Sequence, residues 1–256
     1  MIFPIRDENP QINIPYVTYA LIALNVLAWL GLQGFGAEPA LSRSICQFGL
    51  IPADLTSQEF VRSMPICSMD GNPDWYTLVS SVFMHGGWMH LIGNMWFLWI
   101  FGNNVEDSMG SVRFAVFYVI CGVLASAAQI AADTGSVVPM VGASGAIGGV
   151  MGAYIVLYPK VHVHMFFLFR TFAIPAILML GYWIVTQLIG GFSSLGSTGG
   201  GVAFWAHAGG FVGGMALILV FKDEALLAQH PYRGWNQNAH KENTWQKVTT
   251  RKAGWY

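Results

Sequence analysis

Charge is scarce in this 256-residue chain: Asp, Glu, Lys and Arg make up 10% of it, against roughly 25% in a soluble globular domain. Hydrophobic residues make up 54%. That balance excludes a soluble binding module and points to an integral membrane protein. Basic charge is scarce as well. Twelve Lys and Arg stand against thirteen Asp and Glu for a formal net charge of -1, and nothing resembles a stripe that would neutralise phosphates, which excludes a nucleic-acid partner. Three cysteines without a C-x-x-C make neither a disulfide framework nor a Cys-rich metal site. Cys46 and Cys67 share one polar segment and can pair if that segment faces an oxidising compartment. H-E-x-x-H is missing, and the pairs His85/His90 and His162/His164 lack the spacing or a glutamate, so neither metal nor other cofactor is expected. The G-x-S-x-G elbow of soluble hydrolases is missing too, because Ala146 stands where its last glycine would be.

What is present is a series of apolar runs, spaced too closely for a second soluble core to form between them. A spanning helix needs about 20 mostly apolar residues, and six candidates fall near 16–35, 86–104, 112–132, 143–159, 168–190 and 202–221. The expected fold is an all-α, six-span bundle over 16–222, preceded by a segment 1–15 and followed by a basic tail 223–256. Arg6 beside Asp7 and Glu8, with a long apolar run behind them, makes the first candidate a span rather than a signal peptide. Six spans put both termini on one side, together with Arg6, Arg113, Lys160, Arg170, Lys222, Arg233, Lys241, Lys247, Arg251 and Lys252. Only Arg43 and Arg62 fall opposite, so both termini are expected to be cytoplasmic. A bacterial inner membrane is the expected location. The long outer loop 36–85, with Phe60, Trp75 and Tyr76, reads either as an interfacial segment or as an exposed loop with two short helices. His162 and His164 fall in a cytoplasmic turn. The tail, with Trp235, Trp245 and Trp255, reads as solvated and near the bilayer surface.

The second, fourth and sixth spans all begin on the outer side, so polar residues soon after their starts share one depth. The second carries His90 and Asn94, four apart and hence on one helix face. The fourth opens Gly142-Ala143-Ser144-Gly145, and the sixth carries His207, roughly 5–10 Å below its start at 1.5 Å rise per residue. A lone intramembrane Ser or His is often interhelical glue, but ionisable groups at that depth usually face a cavity or partner, and four polar groups in one layer favour a site. Small residues crowd both helices, with Gly145, Ala146, Gly149 and Ala153 on one and Ala203, Ala206, Gly210, Gly213 and Gly214 on the other. Backbones can then approach closely, bringing the Ser144 hydroxyl and His207 imidazole to the separation expected of nucleophile and general base. With no carboxylate visible at that depth, a Ser–His dyad is expected rather than a triad. Free N–H groups in the first turn, joined by His90 and Asn94, would cradle an oxyanion.

These residues resemble the rhomboid proteases over about 15–221. The family's G-x-S-G appears as Gly142–Gly145, its H-x4-H-x3-N as His85, His90 and Asn94, and its A-x3-H-x2-G-x3-G as Ala203, His207, Gly210 and Gly214. The resemblance implies Ser144 and His207 as catalytic residues, and an oxyanion site from His90, Asn94 and the Ser144 backbone. Gly142, Gly145, His85, Gly210 and Gly214 support it. It further implies cleavage of single-span or otherwise membrane-anchored protein substrates within or beside the bilayer. Gly102, Glu106 and Gly110 look like the family's E-x3-G region, with Glu106 in a structural role. One departure stands out: where many members carry Trp-Arg before the second helix, this chain reads Trp75-Tyr76-Thr77. A catalytically inactive relative that binds membrane clients is the alternative, and it should lack a catalytic residue. The glycine-rich stretch 190–201 is expected to form a loop that moves with the fifth helix to admit substrate.

Overall fold

The computed structural model describes residues 3–56, 67, 72–194 and 202–230. Phe60, Arg62, and the tail with Trp235, Trp245 and Trp255 lie outside the described residues. A helix stands at each of the six expected positions: α1 (Tyr16–Gly31), α5 (Trp88–Met109), α6 (Ser111–Ala132), α7 (Ser144–Leu157), α8 (Ala176–Ser194) and α9 (Phe204–Phe221). Among the described residues three of these, α6, α8 and α9, are long and apolar enough to cross a membrane, and α1 and α7 are shorter apolar helices. Segment 36–85 contributes α2 (Ala40–Phe48), α3 (Pro52–Thr56) and α4 (Thr77–Ser80). Cys46 and Cys67 within it are joined by a disulfide.

The expected all-α class needs correction. Strands β1 (Phe3–Asp7), β2 (His162–Phe167) and β3 (Arg170–Pro175) form an antiparallel sheet in the order β1-β2-β3. The fifth helix therefore starts at Ala176 rather than near 168, and His162 and His164 sit in a strand rather than a turn. Along β2, Val163 and Met165 are buried, while His162 and His164 lie on the opposite face, beside the Glu8 carboxylate. His164 Nε2 lies 2.8 Å from Glu8 Oε1, which ties β1 to β2 beyond its ladder. The hairpin turns on Leu168 and Phe169, with φ of 44° and 65°, the two positive values of a type I′ turn.

Helix boundaries follow local chemistry. Pro15 precedes α1, whose first free N–H groups, those of Val17 and Thr18, donate to Glu106 at 3.0 and 2.8 Å. The Thr18 and Ser111 hydroxyls also donate to Glu106, so one buried side chain caps α1 and ties it to the α5–α6 junction, the structural role expected of it. Gly110, at φ 81°, turns the chain between α5 and α6. A short helix α10 (Glu224–Gln229) follows α9, capped by Asp223, which accepts from Ala225 N–H and pairs with Arg113 at 3.3 Å. The tail thus begins as a packed helix, with Leu226 reaching Gly110.

Helix α7 lies at the centre, buried continuously from Gly145 to Tyr154. It packs on α9 through backbone contact. A Cβ at Gly210 or Gly214 would collide with the carbonyl oxygens of Gly145 and Gly149, and one at Gly149 would strike the Cys121 sulfur on α6. Helix α8 is the least buried of the three long apolar helices.

Candidate active site

Ser144 is the first residue of α7. The turn before it depends on Gly142, whose φ of 123° disfavours any side chain and whose Cβ, if present, would meet the His90 ring at 2.6 Å. The backbone contact of α7 with α9 then sets Ser144 opposite His207, and Ser144 Oγ lies 2.7 Å from His207 Nε2. Both residues are half-buried.

On α5, one helical turn separates His90 from Asn94, and both approach Gly142. Asn94 is buried, and its side-chain N–H2 has no hydrogen-bond partner among the described residues. A buried amide without a partner carries a desolvation cost of about 1–3 kcal/mol, which a negatively charged acceptor in the site would relieve. His90 Nδ1 accepts from the Gly86 N–H at 3.3 Å. The ring proton then belongs on Nε2, leaving a donor beside Gly142. The fully buried His85 stands behind His90, ring to ring at 5.1 Å, with its backbone held at both N–H and C=O by Gln33. His85 therefore supports His90 rather than lining the space before Ser144. Gly145, Gly210 and Gly214 act through the helix contact.

Two residues of α8 that the sequence did not mark also meet His207. Gln187 Oε1 lies 2.7 Å from His207 Nδ1, and the Trp183 ring lies 5.7 Å from the His207 ring at 33°. The available signal was Gln187 itself, a polar side chain inside an apolar run and four residues after Trp183. The helix also runs to Ser194, so the first part of the expected 190–201 loop is helical, and 195–201 lies outside the described residues. Among the described residues no cluster of His, Cys, Asp or Glu could hold a metal ion.

The sequence model of the Rhomboid domain matches residues 72–224, more than half of the chain. The chain belongs to the rhomboid family. Rhomboid protease GluP of Bacillus subtilis is 31% identical over 202 residues, covering 78% of this chain and 34% of that protein. Rhomboid-like protein 11, chloroplastic, of Arabidopsis thaliana is 29% identical over 67% of this chain, and Rhomboid protein 1, mitochondrial, of Saccharomyces cerevisiae 24% over 78%. The chain spans about a third of the first relative's length and 59% and 51% of the other two. With its apolar helices, membership of the rhomboid family makes it a multi-pass integral membrane protein. Chloroplast and mitochondrial relatives stand beside the bacterial one, so the resemblance does not single out a bacterial inner membrane.

Proposed function

We propose that this chain is an intramembrane serine endopeptidase that cleaves membrane-anchored proteins within or next to their transmembrane segments, with Ser144 as nucleophile and His207 as general base. The observation that carries this reading is the 2.7 Å contact between Ser144 Oγ and His207 Nε2, at the separation acyl-transfer chemistry needs. His207 Nε2 takes the hydroxyl proton as Oγ attacks the substrate carbonyl, then returns it to the leaving amine. Water repeats the sequence on the acyl-enzyme. The oxyanion accepts hydrogen bonds from the Ser144 N–H, from the unpartnered Asn94 amide and from His90 Nε2–H. These donors do their work where charge develops in the transition state.

The domain reading goes with it: one six-span protease unit over 16–222, with both termini cytoplasmic and the site opening to the outer side. The Cys46–Cys67 disulfide in segment 36–85 favours an oxidising environment for that face, as does the bias of Lys and Arg to the other. Family relatives named as rhomboid proteases favour peptide-bond hydrolysis.

The test is cleavage of a panel of single-span substrates by purified protein in detergent and in liposomes, beside Ser144→Ala. The expected result is site-specific cleavage that Ser144→Ala abolishes. Client binding without cleavage by the wild type would instead make the chain an inactive, client-holding member of the family.

A further inference from the structure

The imidazole of His207 is engaged on both sides, by Ser144 Oγ at Nε2 and by Gln187 Oε1 at Nδ1, each at 2.7 Å. A neutral imidazole has one N–H and one lone pair, so the direction of these two bonds follows from which end of the Gln187 amide meets the ring. That end is set on α8 itself. Gln187 Nε2 faces the Thr186 hydroxyl oxygen at 3.3 Å and the Trp183 carbonyl at 3.5 Å. The Thr186 hydroxyl gives its own proton to the same carbonyl at 2.6 Å, which leaves its oxygen to accept. With the amide N–H2 turned to these acceptors, Oε1 meets His207. An oxygen lone pair against a nitrogen lone pair repels, so Nδ1 holds the ring proton and Nε2 keeps the pair that can accept the serine proton. Trp183, one turn earlier on the same helix face, lies against the ring and limits its rotation.

We propose that Gln187 is a positioning residue for His207, holding the imidazole in the Nδ1–H tautomer with Nε2 aimed at Ser144. This rests on the reading of Ser144 and His207 as nucleophile and base. A buried aspartate does the same in a Ser–His–Asp triad, where it also stabilises the imidazolium. A neutral amide supplies the orientation without the charge. The groups facing His207 are Ser144 on α7, Trp183 and Gln187 on α8, and His90 on α5; among the described residues no carboxylate or ammonium group hydrogen-bonds to it. Because the orienting residue sits on the least buried of the long apolar helices, outward displacement of α8 breaks the 2.7 Å bond. The alignment of the base thereby depends on the seating of that helix.

The experiment compares wild type, Gln187→Leu, Gln187→Glu and Ser144→Ala in one detergent, reading kcat and KM on a transmembrane substrate and the 15N tautomer spectrum of His207. Gln187→Leu is expected to shift the spectrum from one dominated by Nδ1–H to a mixture, and to lower kcat about 10- to 100-fold with KM nearly unchanged, part of the 10²–10⁴ a general base contributes. Gln187→Glu, which restores an acceptor, should recover kcat to within a few-fold and move the acidic limb of the pH–rate profile upward, since a carboxylate favours the imidazolium. Should Gln187→Leu fail to fold, Gln187→Asn, which withdraws the amide by one methylene, carries the same expectation. Identical tautomer spectra for wild type and the Leu or Asn variant, or an unchanged kcat, overturns the proposal. Turnover by Ser144→Ala at the wild-type rate would instead sink the nucleophile assignment, and the tautomer spectrum, which needs no turnover, would still decide the role of Gln187.

Discussion

The hydroxyl of Tyr154 on α7 lies 2.5 Å from Oδ2 of Asp7 on β1, so the central helix of the bundle holds the N-terminal strand through a carboxyl group. Burial is the largest influence on Asp7 and pushes its pKa up to about 7, against the opposite pull of the Tyr154 hydroxyl, nearby backbone N–H groups and Arg6.

A carboxyl whose folded pKa stands above its ordinary value stabilises the fold while protonated, and that contribution is lost as pH rises through about 7. Amide exchange in Phe3–Asp7, corrected for intrinsic rate, should therefore be slower at pH 5.5 than at pH 8. Asp7→Asn should flatten the dependence. Glu8, with His162 and His164 beside it, is untouched by the change, so the difference between the two proteins reports Asp7 alone. An identical pH slope in Asp7→Asn would count against this role.

Asn94→Ala and His90→Ala should each slow cleavage without abolishing it, because one lost oxyanion donor costs about 10²–10³ in rate. The loss should fall on kcat, with labelling of Ser144 by a phosphonate slowed in parallel. Wild-type kcat in both variants would reduce α5 to scaffold.

The contact between α7 and α9 predicts opposite outcomes for two glycines. Gly214→Val drives side-chain atoms into the Gly149 backbone and should lower the melting temperature and abolish phosphonate labelling. Gly181→Ala, on α8, meets nothing within 4 Å and should be neutral or stabilise by up to about 1 kcal/mol through helix propensity. Thermal unfolding in one detergent checks both.

Sidedness can be read by single cysteines in a Cys121→Ser background that keeps the disulfide. Ser136→Cys, between α6 and α7, should react with an impermeant reagent applied outside intact cells, and Leu168→Cys, in the hairpin, should not. Ser197 and Gln237 lie outside the described residues. The reverse pattern would invert the assignment of both faces.

Much of the helical scaffold was legible because it rests on run length and on residue types at fixed spacing. His90, Asn94, Ser144 and His207 needed no tertiary information to be placed at one depth, nor did the small residues of α7 and α9 to be read as a close helix contact. The sheet was not legible. Its turn uses Leu168 and Phe169 where hairpins advertise themselves with Asn or Gly, and the apolar stretch from Met165 onward reads equally well as the start of a helix. Gln187 was missed for a different reason. Its significance lies in His207, which it faces on α9, and a single polar residue in an apolar run says nothing of its neighbour. Glu106 lay between these cases: a carboxyl at the end of an apolar helix signals a structural task, but its donors on α1 lie 88 and 89 positions away in the chain.

The pairing of β1 with β2 also orders events during synthesis. Phe3 pairs with Phe166 and Asp7 with Val163, so β1 finds its partner only after four apolar helices, α1, α5, α6 and α7, have followed it. At about 5–20 residues per second, that leaves β1 unpaired for on the order of ten to thirty seconds. Closure of the sheet and burial of the Asp7 carboxyl are thus late steps of biogenesis, reached long after the first helix has found its place.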